Sequence, residues 1–516
     1  MPINTAPSRT SPIWILILLM LTKIVLQYWV VNSNYDLQRD EYLHLDMANH
    51  LAGGYISVPP FISWNSVLIQ WLGNGIFWVR FFPAFYGALT MLLMWKMIEM
   101  AGGGIFAQLL AAFTFLFSGM TRLQIFYQPN SVDILSWTIV FWLLMKYIRQ
   151  PKDTYLIWIG IVVGVGILNK YNIIFLVLGV VAGLLLTKYR EVFTRRAFYA
   201  GVLLALIIIS PNLVWQFRHG FPVIHHMKEL SSSQLVNVSR IGFIIDQFIF
   251  FLGGAFLILA GLISLLFYKP FRAYRIVLII FTITISLFVY FRAKSYYSLG
   301  LYPIIFAFGS TWWEQLFNRF RYGRVAWLVI IVLPFFLIFK AIFPVLTPEE
   351  IAREGEKYRM LGILKWEDGK DHEIPQDFAD MLGWREMAEL AQQAWEKIPE
   401  NERKNALILC DNYGQAGALN YFNKGKTPPA VAMEADYVFW FPKTDSIHYV
   451  LRVGHAPDSG FLKLIGKIET IGKLATPYSR ERDWQTEVYL LSDFSPEVKN
   501  KFRALLSKKQ GNYAAY

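Results

Sequence analysis

The chain has 516 residues, of which 55% are hydrophobic and 17% charged, with a mean hydropathy of +0.38. A soluble domain carries about a quarter charged residues, and here the apolar residues are blocked into long runs, so the composition excludes a soluble globular protein and points to a polytopic membrane protein. The formal charge of +12 falls largely in short loops and is not a nucleic-acid footprint, while the single cysteine, Cys410, excludes an intramolecular disulfide.

In chain order, eleven candidate spans lie near 12–30, 80–98, 104–120, 131–148, 155–169, 171–187, 197–214, 242–267, 276–291, 298–313 and 325–344. The first lacks a small-residue cleavage site and is long enough to cross, so it reads as a retained helix and not a signal peptide. The fifth and sixth are separated only by NKY, which leaves a tight re-entrant pair as the other reading. The apolar stretch 59–79 is broken by proline and glycine and reads as interfacial or re-entrant.

Loops 149–154, 188–196, 268–275 and 314–324 are short and basic, which predicts that they and the N-terminus are cytoplasmic. The opposite loops are longer and hold more of the acidic residues before position 345. An odd number of spans then puts the C-terminal segment on the periplasmic side. After about residue 345 the long apolar runs stop. ALILCD, DYVFWF, HYVLRVG and EVYLLSDF predict strands, WREMAELAQQAWEKI and PEVKNKFRALLSKK predict helices, and DNYGQAGALNYF predicts a strand-to-helix turn. Residues 346–516 are expected to form a soluble α/β domain able to fold apart from the spans.

On this map unusual polar residues gather at one membrane face. Asp40 and Glu41 follow the first span, in NYDLQRDEYLHLDMANH, and Gln128, Asn130 and Asp133 open the fourth. Lys170 and Tyr171 sit between the fifth and sixth, and Arg292, Lys294, Tyr296 and Tyr297 follow the ninth. Ionisable groups at membrane depth are costly and usually functional. Carboxylates there could accept a proton or bind a cation, and Lys, Arg and Tyr could hold a phosphate. Each has a plainer reading beside it. Asp40 and Glu41 could be a solvated loop or a helix cap, and Asp133 could favour a helix dipole. Lys294 and Arg292 could snorkel to the head groups, and the tyrosines could belong to an aromatic belt. His219, His225 and His226 read as structural, because no further ligand stands at helical spacing.

RDEYLHLDMANHLAGG followed by PPFISW resembles the first outer loop of the GT-C glycosyltransferases related to protein O-mannosyltransferases and the lipid A aminoarabinose transferase. ILNKYNIIF, SPNLVWQFRHGFPVI and AKSYYSLGLYPI resemble the bacterial branch of that group, as do QDFADMLGWREMAE and LCDNYGQAGALNYF. The resemblance implies a GT-C-like membrane domain over 1–345, a periplasmic domain over 346–516, and a place in the bacterial inner membrane. It implies sugar transfer, with inversion, from a polyprenyl-phosphate donor to a periplasmic glycan, lipid or protein. Asp40 then matches the acidic residue near the reacting sugar carbon, with Glu41 beside it, and Asp40 serves as general base or positions the donor. Asp133, Lys170, Tyr171, Arg292, Lys294, Tyr296 and Tyr297 become the substrate-binding set, with Lys170, Arg292 and Lys294 facing the donor phosphate. One place departs from the pattern. The aminoarabinose branch carries a Glu-Lys pair before the double proline, where this chain has Ser57 and Val58 before Pro59 and Pro60. A metal ligand and a phosphate-binding lysine are missing there, and a divalent cation has no clear ligand set. The rival reading is a transporter or flippase of a lipid-linked or anionic substrate. Transporters place polar residues near the midplane of repeated halves, whereas these charges cluster at one face and no repeat is visible.

Overall fold

The computed structural model describes residues 12–511, apart from 234, 319–322, 361, 443–446, 458–459 and 461–462; part of the basic loop 314–324 therefore lies outside the described residues. Two units are present. The first comprises Met1–Val30, Phe77–Asn212 and Leu230–Phe343, and the second Val31–Ile76, Leu213–Glu229 and Pro344–Tyr516.

Among the described residues, five helices are long and apolar enough to cross a bilayer: Ile76–Ala101, Asn130–Arg149, Arg196–Arg218, Lys269–Tyr290 and Gly323–Ile342. Two further pairs pass the same test but are bent, Ile173–Leu185 with Lys188–Thr194 by 107° and Arg240–Ile249 with Leu252–Phe267 by 85°. Ile13–Trp29, Ile105–Leu116 and Asp153–Asn169 are shorter apolar helices, and Tyr302–Leu316 completes the set. The chain is a multi-pass membrane protein, and each of the eleven expected spans falls on helical structure. The expected straight run over 242–267 is broken, however. Gly253 and Gly254 pack where any side chain would meet the carbonyls of Ile330 and Ile331 and the side chain of Thr114, and the Phe250 carbonyl accepts instead from Gly119 N (2.6 Å). Close helix packing elsewhere also rests on small residues. Gly261 and Gly309 let the Ala255–Phe267 and Tyr302–Leu316 helices meet backbone to backbone, at the carbonyls of Ile305 and Leu257.

The second unit is built on a five-stranded mixed sheet of order β2-β1-β3-β5-β4, with β1 Ala406–Cys410, β2 Val431–Ala432, β3 Tyr449–Gly454, β4 Ile465–Lys473 and β5 Glu487–Phe494. β1 runs parallel to β2 and β3, pairing Leu409 with Val431 and Ile408 with Leu451; β5 runs antiparallel to β3 and β4. The predicted strands at β1, β3 and β5 are present, as are the predicted helices, now Trp384–Glu396 and Pro496–Gly511. DYVFWF is not a strand. It forms the 3-10 turn Ala435–Phe439, which buries the adjacent side chains of Asp436 and Tyr437 together. An extended strand would send these neighbours to opposite faces. β4 escaped the sequence reading because it is an edge strand with little buried surface and an irregularity between Thr470 and Gly472.

This unit is larger than the segment bounded at 345. It takes in the Arg39–Asp46 and Phe61–Trp71 helices of the first loop. Tyr42 is fully buried edge-on to Trp384 and Tyr421, and Gly417 lies so close to Tyr42 that a side chain there would strike it. The 59–79 stretch forms an 11-residue helix too short to span. It leaves Trp64, Leu68 and Trp71 exposed along one stripe.

Candidate active site

The acidic loop of the second unit is a structured helix start. Gln38 accepts from Asp40 N (2.8 Å) through its side chain, and the Glu41 carboxylate accepts from Gln38 N (2.7 Å). This reciprocal cap explains why Glu41 is fully buried, and it gives Glu41 a structural task. Asp40 remains half-buried, and the hydroxyl of Tyr413 donates to its Oδ1 at 2.7 Å. Tyr413 opens the Tyr413–Phe422 helix, which Asn412 and Gln415 fix after β1 by a second capping box. The Arg39 guanidinium stands 4.4 Å over the Tyr413 ring and 5.9 Å from that of Trp484, and Arg39 N donates to the Asp380 carbonyl (3.2 Å). Arg480 pairs with the Asp380 carboxylate at 3.1 Å. Burial pushes the Asp380 carboxyl up to about 6 against the pull of Arg480 and Arg39.

The other carboxylates of the loop are tied down more tightly. Asp46 accepts from Asn49 Nδ2 (2.8 Å), Asn420 Nδ2 (2.6 Å) and the Tyr437 hydroxyl (2.7 Å). Asp36 pairs with Arg385 at 3.2 Å. Asp436 accepts from Ile56 N at 2.7 Å, and burial pushes its carboxyl up to about 7. Ser57 and Val58, where the sequence departs from the aminoarabinose branch, lie in a loop closed by Tyr55, whose N–H donates to the Val58 carbonyl (3.2 Å). His219 stacks on Trp215 and meets Phe439 edge-on, as expected of a structural histidine.

In the first unit, three distant segments of the predicted set come together. Asp133, buried at the start of the Asn130–Arg149 helix, accepts from Trp137 Nε1 (2.9 Å) and from Asn172 Nδ2 (2.8 Å). Asn172 also donates to the Tyr297 carbonyl (2.8 Å), joining the 170–172 corner to the 295–301 turn. Lys170 Nζ donates to Asn130 Oδ1 (2.7 Å) and sits 4.2 Å over the Tyr297 ring and 5.3 Å from that of Tyr296. Asp133 and Lys294 are both near enough to act on Lys170 electrostatically, Asp133 the more strongly. Among the described residues the Lys170 ammonium makes its hydrogen bond to a neutral amide and meets Asp133 only through space.

Two predicted residues point elsewhere. Tyr171 donates to Asn212 Oδ1 (2.8 Å), and Arg292, at a positive φ of 52°, donates to the Val236 carbonyl (3.1 Å). Sequence reasoning passed over Tyr413, Asn172 and the fully buried Lys23. The last hides in the apolar helix Ile13–Trp29, 3.4 Å from Gln27 Oε1. A lysine inside an apolar run was a readable signal for it; Tyr413 had none, being an ordinary aromatic in a soluble segment. Among the described residues, no group of three His, Cys, Asp or Glu side chains is placed to hold a metal ion.

A family model described as dolichyl-phosphate-mannose-protein mannosyltransferase matches residues 57–215. ArnT from Cupriavidus metallidurans, solved bound to undecaprenyl phosphate, superposes with a TM-score of 0.60 at 16% identity, over 92% of this chain and 97% of that one. Its apo form gives 0.59 at the same identity and coverage. The chain has the GT-C fold. A lipid A galacturonosyltransferase, RgtD, of Rhizobium johnstonii is 26% identical over 211 residues, which are 40% of this chain. The match likewise spans 40% of that curated relative's length. The resemblance to GT-C glycosyltransferases read from the sequence is thereby borne out. The GT-C fold accounts for the mixed architecture, a helical membrane body with a C-terminal sheet.

Proposed function

We propose that the protein transfers a sugar from a polyprenyl-phosphate donor to an acceptor at the periplasmic face of the bacterial inner membrane. The observation that carries this reading is Asp40, a half-buried carboxylate oriented at the start of a capped helix. The fold shared with an undecaprenyl-phosphate-bound ArnT and the partial likeness to a lipid A galacturonosyltransferase support it. In the reaction, the acceptor oxygen bonds to the anomeric carbon as the bond from that carbon to the donor phosphate breaks. Asp40 takes the acceptor hydroxyl's proton, and the electron pair leaves on the polyprenyl phosphate. Attack from the face opposite the phosphate inverts the anomeric centre. A phosphate leaving group needs cations more than an acid; Lys170 is proposed as a phosphate contact on the first unit's own geometry, its ammonium held by an amide oxygen and two aromatic rings. Glu41 holds the helix that carries Asp40.

The test is transfer by the purified full chain in proteoliposomes. Radiolabelled undecaprenyl-phosphate sugars are supplied with an envelope fraction as acceptor, galacturonic acid being the first sugar in the series. Label is expected to move from the lipid carrier into envelope material. Label that stays on the carrier for every sugar, or that only crosses the bilayer attached to it, overturns the reading.

A further inference from the structure

The structure assigns Tyr413, a residue of the C-terminal segment, as the positioning residue that fixes Asp40. This inference rests on the transferase reading for its kinetic consequence, but the coupling itself is a separate claim. Three observations carry it. The phenol hydroxyl donates to Asp40 Oδ1 at 2.7 Å, across 373 positions of sequence. The ring that bears the hydroxyl is itself clamped, with the Arg39 guanidinium 4.4 Å over one face. The backbone that bears the ring is fixed by the Asn412–Gln415 capping box. Gly414, next in the chain, packs on the Arg39 side chain closely enough that a Cβ there would come within 3.1 Å of it. A donor held this firmly selects one rotamer of the carboxylate it faces.

Burial and the neighbouring Asp40 carboxylate both raise the Tyr413 phenol well above its ordinary value, so it stays protonated and remains a donor. The other charged groups about this pair are Arg39, Asp380 and Glu434, together with Glu41, His44 and Asp46 on the same helix. The Phe61–Trp71 helix and the Met47–Asn49 turn bring no titratable side chain, and the Tyr413–Phe422 helix brings only Tyr413 and Tyr421. The consequence is that the C-terminal segment completes the catalytic carboxylate.

Tyr413→Phe removes the hydroxyl and keeps the ring under Arg39. Transfer of galacturonic acid from undecaprenyl phosphate by the full chain is expected to fall ~10- to 100-fold in kcat with the donor KM unchanged, as for a misplaced catalytic group. Beside Asp40→Asn the same substitution is expected to lower the residual rate little further, as for two residues that act together. Tyr421→Phe, which removes a hydroxyl that donates to the Asn74 carbonyl (3.0 Å), is the control for packing damage. It is expected to transfer like the parent. Parental kcat in Tyr413→Phe overturns the assignment, and so does an equal loss in Tyr421→Phe. If Asp40→Asn abolishes transfer while Tyr413→Phe transfers like the parent, positioning fails and the transferase reading stands. If no transfer is detected in the parent, thermal unfolding decides the coupling: Tyr413→Phe is expected to lower Tm in the parent and by less beside Asp40→Ala, and equal losses overturn the assignment.

Discussion

The two polar clusters handle charge in opposite ways. In the second unit Asp46 is buried and met by tyrosine and asparagine donors, while the buried Asp436 accepts from Ile56 N and leaves Oδ2 without a hydrogen bond among the described residues. Around Lys170 in the first, a cation is met by an amide oxygen and two aromatic faces, and Asp133 takes its hydrogen bonds from Trp137 and Asn172. A carboxylate saturated by donors is architecture, since it has nothing left to offer a substrate. A cation whose hydrogen bond goes to a neutral amide, with Asp133 acting on it only through space, keeps donors to offer an incoming anion. Asp40 differs from both groups, being half-buried and facing the Tyr413 phenol.

That contrast can be broken at three points. The largest effect is expected at Lys170. Lys170→Met removes the charge and keeps the stem, and a lost charge-assisted hydrogen bond of ~1.5–3 kcal/mol weakens undecaprenyl phosphate binding by about 10- to 100-fold. Binding measured on the purified protein checks this, and unchanged affinity would make Lys170 part of the packing. At Asp46 the effect falls on stability instead. Asp46→Asn presents an amide to some of its three donors, at a cost of ~1–3 kcal/mol that thermal unfolding should report as a lower Tm. An unchanged Tm would mean those hydrogen bonds are not holding the first loop to the sheet.

The third expected effect is a pH dependence. The folded Asp436 carboxyl sits at about 7, above the ordinary aspartate value of about 4. A proton therefore favours the fold, and this contribution is complete below about 4 and lost as pH rises through 7. Asp380, raised to about 6, acts in the same direction. The Tm of the parent should fall over that window and that of Asp436→Asn should fall less. Parallel pH profiles would remove Asp436 as a source of the dependence.

Much of this was legible in the sequence. Apolar runs located the membrane helices because burial in lipid demands them, and the convergence of Asp133, Lys170 and Tyr297 followed from placing their loops on one face. Breaks inside apolar runs were harder to read, since the bend at Gly253 and Gly254 is set by what packs against it. In the second unit, local pattern found β1, β3 and β5 but not the turn at Ala435–Phe439, where partners nearly 400 positions away decide the backbone. Tyr413 was illegible for the same reason: its importance lies in what it touches.

The most direct measurement compares transfer by the parent, Asp40→Asn and Asp36→Asn, each with its membrane level and Tm determined. Asp46 is unsuited as a control because it is saturated by structural donors, whereas Asp36 makes a half-exposed pair with Arg385. Asp40→Asn should lower the rate by ~10²–10⁴ with insertion and Tm nearly unchanged, as for loss of a positioned general base, and Asp36→Asn should transfer like the parent. Parental transfer by Asp40→Asn, or an equal loss in both variants, would contradict the role assigned to Asp40.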